Sequence, residues 1–112
     1  MSNVWSIPSV ESQPSTSLIN WIVFEAERTP GVITQHLAGD LREYGEGRVS
    51  SSLVFANPET RMARTKSGRL YKLVGEPGLG SEGEYVLNVW LRINGAKLIG
   101  VVTNAVFPKS VA

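Results

Sequence analysis

Residues 21–37 read WIVFEAERTPGVITQHL and predict a β-hairpin. The first part, Trp21–Ala26, is rich in aromatic and β-branched side chains, which is typical of a strand buried over much of its length. Thr29-Pro30-Gly31 predicts a turn, because proline presets φ and glycine permits a positive φ. Val32–Leu37 provides the returning strand. The folded part of the chain is therefore expected to begin near residue 18 with two antiparallel strands.

Further strands are predicted on the C-terminal side of this hairpin. Arg48–Ala56 alternates between a face of larger side chains and a face of smaller ones, as a half-buried strand does. Arg61–Thr65 and Arg69–Val74 flank the short connection Lys66-Ser67-Gly68, which predicts a second hairpin with glycine at positive φ. Lys97–Thr103 is apolar and β-branched and predicts a final buried strand.

One helix is predicted near the C-terminus, over about residues 82–94. Ser81 and Glu84 have the spacing of a capping box, in which each side chain bonds a main-chain amide of the first turn. Asn94-Gly95 predicts the end of the helix, because both residues tolerate left-handed backbone. Helical spacing predicts an apolar stripe formed by Val86, Val89, Trp90 and Ile93.

Together these elements predict an α+β fold with a small antiparallel sheet. Consecutive hairpins favour a curled or barrel-like sheet of about five to six strands, with the helix covering one face or one open end. Residues 1–17, which contain six serines, are expected to form a flexible N-terminal tail. Residues 18–112 are expected to form one domain.

The composition excludes several kinds of site. There is no cysteine, so disulfides, thiolate zinc sites and cysteine nucleophiles are excluded, and His36 is the single histidine. We therefore expect no metal and no other cofactor. The N-terminus lacks the basic stretch and apolar run of a secretory signal, and no apolar run approaches the roughly 18–20 residues that cross a bilayer. A cytoplasmic protein that does not engage a membrane is expected.

The sequence shows no catalytic constellation and therefore favours a binding protein over an enzyme. Ser50, Ser51 and Ser52 would alternate between the faces of a strand, and no nucleophile elbow surrounds them. Glu25 and Glu27 share a strand face, but solvated or cross-strand pairing roles are commoner for such carboxylates. The glycine-rich stretch 75–83 lacks the lysine and the spacing of phosphate-binding loops.

Charge is segregated along the chain. Residues 1–60 carry seven acidic and three basic side chains, whereas residues 61–72 carry five basic side chains and no acidic one. A basic two-stranded ribbon can contact phosphates, and Tyr71 within it could stack on a base. The candidate contact residues for nucleic acid or an acidic partner are Arg61, Arg64, Lys66, Arg69, Tyr71 and Lys72.

Three functions stay open on the sequence. The first is a non-enzymatic module for protein–protein association or self-assembly, favoured by the adjoining acidic and basic regions and by three tryptophans and three tyrosines in a short chain. The second is nucleic-acid binding through the hairpin 61–72. The third is a small-ligand pocket inside the curled sheet, lined by Trp21, Phe24, Tyr71 and Trp90.

Overall fold

Seven strands and two helices form the fold in the computed structural model, which describes residue 11 and residues 13–108. The elements in chain order are β1 (Ser15–Thr29), β2 (Val32–Leu41), β3 (Gly47–Val49), β4 (Leu53–Asn57), β5 (Met62–Thr65), β6 (Leu70–Leu73), α1 (Ser81–Ile93), β7 (Lys97–Val101) and α2 (Thr103–Val106). The α+β class is confirmed, and α1 lies within one residue of the predicted helix. Most of the predicted tail lies outside the described residues, and β1 begins at Ser15, three residues before the predicted domain boundary.

All strands belong to one sheet built around β1. The strand order is β3-β2-β1-β6-β5-β4, and β7 pairs with β1 as well. β2 takes one edge of β1, while the other edge is shared by β6 along Ser15–Leu18 and by β7 along Phe24–Glu27. The β1–β6 ladder is parallel, so the sheet is mixed and not wholly antiparallel. β4 contacts β2 although three strands separate them in this order, so the sheet is curled, but its ladder does not close into a barrel.

β1 is buried on both faces, which explains its almost unbroken apolar run. Trp21 and Val23 point into the curl of the sheet, where they pack with Leu37, Tyr71 and Phe107. The alternate residues of β1 form a second core on the opposite face with residues of α1. The side chains of this second core are Ile22, Phe24, Ala26, Ala38, Val49, Val86 and Leu87. Burying each large side chain contributes about 1.5–3 kcal/mol, so β1 is the energetic centre of the fold.

Helix α1 begins differently from the prediction. Ser81 is the first helical residue, Gly80 is the N-cap, and no side chain bonds the cap, so the predicted capping box with Glu84 is wrong. Asp40 of β2 lies close to this end of the helix, since a Cβ atom on Gly80 would lie 3.2 Å from one of its carboxylate oxygens. This buried carboxylate stands beside the positive end of the helix dipole, where a negative charge is favourable.

The buried stripe of α1 is also rotated from the predicted one. Gly83, Val86 and Leu87 are buried, whereas Ile93 is exposed. Close packing of α1 on β3 causes this choice of face, since a Cβ atom on Gly47 would lie 2.6 Å from the main-chain oxygen of Glu82. The helix therefore packs closely on Gly47 of the sheet, and we call this contact the glycine seam. Its end agrees with the prediction, because Gly95 follows it at φ +58°.

Candidate functional site

The basic hairpin forms as predicted, but its charges have different environments. β5 and β6 pair antiparallel, and Gly68 in their connection has φ +95°. The Arg69 side chain is only 4% exposed, and its Nε donates to the Gln13 main-chain oxygen at 2.8 Å. Arg61 donates to the Gly75 oxygen at 2.8 Å, and its guanidinium lies 5.6 Å from the centre of the Trp21 ring. Both arginines thus make contacts within the domain.

The remaining basic residues of the hairpin face solvent. Arg64, Lys66 and Lys72 are exposed, and Arg64 donates to the Gly68 oxygen at 2.9 Å. Tyr71 is 2% exposed and lies in the core inside the curl, so its ring is not accessible for stacking on a base. The surface available to a polyanion is therefore smaller than the sequence indicated.

The four aromatic residues proposed to line a pocket do not share a cavity. Trp21 and Tyr71 belong to the core inside the curl, whereas Phe24 and Trp90 lie on the opposite face of the sheet. Both pairs are packed against neighbouring rings and leave no shared cavity. The ring of Trp21 packs against that of Phe107 at a centroid distance of 5.5 Å, and the ring of Phe24 packs against that of Trp90 at 5.6 Å. The sheet itself separates the two pairs.

Two open grooves occur elsewhere on the described part of the chain. The larger, of about 450 Å³, lies beside the parallel β1–β6 ladder, and the smaller, of about 260 Å³, lies at the end of the first hairpin. The larger groove is lined by Gln13, Pro14, Ser15, Thr16, Ser17, Glu43, Tyr44, Met62, Leu70 and Lys72. The smaller is lined by Arg28, Thr29, Val32, Thr34 and Asn94. Neither groove includes any of the four predicted pocket aromatics.

His36 is a fully buried core residue whose two ring nitrogens are both occupied. Nδ1 lies 2.9 Å from the main-chain oxygen of Ser50, which can only accept, so Nδ1 carries the proton and donates it. Nε2 lies 2.7 Å from the hydroxyl of Thr34 and accepts from it. Burial lowers the pKa of His36, and the charge of Arg28 acts in the same direction. The ring therefore stays neutral and stabilises the core.

The other candidate catalytic side chains also have structural contacts. Ser50 Oγ accepts from the Leu37 amide at 2.9 Å and donates to the Ser51 oxygen at 2.7 Å. The Glu25 carboxylate accepts a hydrogen bond from the side-chain amide of Gln35, and the Glu27 carboxylate accepts one from the main-chain amide of Gly31 in the hairpin turn. Within residues 13–108 and residue 11, no group of three histidine, cysteine or acidic side chains could hold a metal ion. None of the helices described there is long and apolar enough to cross a membrane.

An exposed apolar strand edge is the feature that sequence reasoning missed. Residues 97–103 were expected to form a buried strand, but in β7 the side chains of Leu98 and Ile99 are 42% exposed and that of Val101 is 59% exposed. In the described sheet, β7 pairs with β1 and with no other strand. β7 therefore presents apolar side chains beside an unpaired main-chain edge, and a periodicity pattern cannot distinguish such an edge from a buried strand.

The end of β7 is fixed by main-chain and side-chain bonds to β1. The Val102 amide donates to the Val23 oxygen at 2.8 Å, and the Val23 amide donates to Thr103 Oγ1 at 3.0 Å. Thr103 thereby replaces the main-chain acceptor that a continuing strand would offer, and the chain turns into α2. The side chains of Val106 and Phe107 then pack into the curl. The open edge is thus held firmly in place by its own domain.

Comparisons of the chain with protein-family models, with curated proteins and with solved structures found no match.

Proposed function

We propose that this domain associates with proteins by accepting an extended strand along the open edge of β7. The observation that carries the proposal is the combination of an unpaired edge with exposed Leu98, Ile99 and Val101. An added strand gains main-chain hydrogen bonds from such an edge, and alternate side chains gain apolar contacts. Exposed apolar side chains along an unpaired strand are uncommon in natural domains, so those of β7 support a binding role.

The main chain of β7 has the polarity that strand addition needs. Because the Val102 amide points to β1, the amide of its neighbour Val101 points away from β1, as successive residues of an antiparallel ladder do. That amide faces the open edge and is available to an incoming carbonyl group. Strand acceptance therefore requires no opening of the existing ladder.

The edge of β4 offers a weaker site of the same kind. Val54 and Phe55 are exposed there as well. However, β4 continues from β3 after a bend, and its residues lie against β2 across the curl. An incoming strand would meet the chain itself on that side, which favours β7.

The other functions receive less support from the geometry. Catalysis would need a reactive group that is accessible, whereas His36 and Ser50 are buried and hydrogen bonded. Nucleic-acid binding would rely on Arg64, Lys66 and Lys72 without an accessible Tyr71. A small-ligand pocket between the four aromatic residues would need the sheet to open.

A peptide titration of the full chain tests strand acceptance. The probe is a blocked peptide of alternating valine and threonine with a lysine at each end, about as long as β7. In ¹⁵N-resolved NMR spectra of the unchanged chain we expect peptide-induced shifts concentrated on the amides of Ile99 and Val101. In the variant Ile99→Lys/Val101→Lys we expect the peptide to cause no shifts along β7. The matched control Val54→Lys/Phe55→Lys carries the same charges on β4 and is expected to keep the response. Peptide binding that is lost with the control and kept with the β7 variant would contradict the proposal.

A further inference from the structure

We infer that the strand accepted by β7 is β7 of a second copy of this chain, paired antiparallel about a two-fold axis. This inference rests on the proposed strand acceptance and names its partner. It follows from the way the residues of β7 divide between the two faces of the sheet and from the charges that flank them.

The register with β1 assigns each β7 residue to a face. Leu98 pairs with Ala26 and Val101 pairs with Phe24, so these side chains share the face that carries α1. Gly100 pairs with Glu25, and Lys97 pairs with Glu27, on the opposite face.

A bulge in β7 adds one residue to this alternation. The register shift between Glu25 and Ala26 leaves Ile99 as the extra residue of β7. At such a bulge two consecutive residues oppose one residue of the neighbouring strand, so Leu98 and Ile99 both oppose Ala26.

The bulge makes the face pattern of β7 symmetric about the midpoint between Leu98 and Ile99. Two antiparallel copies can then place Leu98 opposite Ile99 of the second copy and Lys97 opposite its Gly100, with matched faces throughout. A shift by one residue would oppose side chains from different faces. Since the same strand supplies both sides, the contact is closed and two-fold symmetric.

Charge complementarity supports the same register. In this register Lys97 lies opposite Gly100 of the second copy, and that glycine pairs with Glu25 on β1 of its own chain. Because Gly100 has no side chain, Lys97 can reach across it to this Glu25. On its own chain Lys97 lies beside Glu27. Lys97 is the one charged residue of β7, so the symmetric pairing brings no like charges together.

The pairing is expected to be weak, because each strand has five residues. Interfaces of this size lie at the low end of those seen in specific complexes, so a dissociation constant in the micromolar range is expected. Lys97 and the bulge are also features with which monomeric proteins protect a strand edge. A measurement of mass against concentration distinguishes the two roles.

Sedimentation equilibrium of the full chain from about 10 µM to 1 mM is the test. We expect a monomer–dimer equilibrium that Ile99→Lys abolishes. Lys97→Glu and Glu25→Lys should each raise the dissociation constant about tenfold, because each places like charges across the pair. The double variant Lys97→Glu/Glu25→Lys should return it to within about threefold of the original. Lys72→Glu, on the exposed side of β6, should have no effect, and far-UV circular dichroism checks that every variant is folded.

Two results would overturn the inference. A chain that stays monomeric throughout the range excludes self-pairing, and if the valine–threonine peptide still shifts the β7 amides, strand acceptance stands without it. If the chain stays monomeric and the peptide shifts no β7 amide, both proposals fail. A dimer that persists in Ile99→Lys would place the contact on another surface and overturn the inference as well.

Discussion

The imidazole of His36 is stacked against the ring of Phe24, with centroids 5.4 Å apart and planes inclined by 23°. Trp90 covers the same imidazole from α1 at a centroid distance of 4.7 Å. The single histidine of the chain is thus enclosed by two aromatic rings and anchored by hydrogen bonds to β2 and to the segment after β3. This arrangement joins the helix to the sheet and makes the joint sensitive to protonation.

We predict that the domain loses stability as the pH falls below the ordinary pKa of histidine. Burial lowers the pKa of His36 in the folded state, so the unfolded chain takes up the proton first. The free energy of unfolding should be independent of this group above about pH 6.5 and should decrease below it, by at most about 1.4 kcal/mol per pH unit. Urea titrations at pH 7.5, 6.5 and 5.5 measure the slope. In His36→Phe this part of the slope should vanish, and an unchanged slope there would contradict the assignment.

A second prediction concerns the glycine seam beneath α1. Gly47→Ala places a Cβ atom 2.6 Å from the Glu82 main-chain oxygen and 2.6 Å from Val86, so helix and strand must move apart. Overpacking of this kind costs about 1–3 kcal/mol in the free energy of unfolding. Gly100→Ala is the matched control, because nothing lies within 4 Å of the Cβ atom it would add. Equal midpoints of urea unfolding for the two variants would show that the seam is not tightly packed.

The fold could be predicted where local signals determine it. The hairpin of β1 and β2 and the helix α1 follow from periodicity and turn residues that lie close together in the chain. The parallel β1–β6 ladder could not be predicted, because it joins Ser15 to Leu70 through main-chain bonds to a polar segment. The start of α1 was also mispredicted, because the spacing of Ser81 and Glu84 does not show that Gly80 takes the N-cap position, where Asp40 of a distant strand lies nearby.

The candidate site shows the same division between local and distant information. Period-two alternation over residues 69–74 predicts that Arg69, Tyr71 and Leu73 share one face, and all three side chains are buried. Because Leu73 faces the core, this alternation already implied that Tyr71 and Arg69 are buried with it. The exposed edge of β7 could not be predicted, because the number of strands on each side of β1 depends on the whole topology.

A third prediction separates structural from exposed bases in the hairpin 61–72. Arg69→Glu puts a carboxylate where a buried guanidinium bonds the Gln13 oxygen, and it should lower the free energy of unfolding by about 3–5 kcal/mol. Lys72→Glu, on an exposed position three residues away, should change it by no more than about 0.5 kcal/mol. Thermal unfolding followed by circular dichroism compares the two. A tolerated Arg69→Glu would mean that the arginine is dispensable for folding.

The last prediction concerns nucleic acid, the alternative partner of this hairpin. Three of its bases, Arg64, Lys66 and Lys72, are fully exposed, so we expect the hairpin to neutralise about three phosphates. If it binds single strands, the slope of log affinity against log salt concentration should be no steeper than about −2, and for duplex DNA about −3. Fluorescence anisotropy with labelled oligonucleotides measures this slope, and the triple variant Arg64→Glu/Lys66→Glu/Lys72→Glu should abolish any binding without unfolding the domain. We expect weak binding at low salt and none near physiological salt, because three contacts supply little affinity once counterions compete. A steeper slope that the triple variant removes would instead make the hairpin the principal binding surface and would displace the edge of β7 from that role.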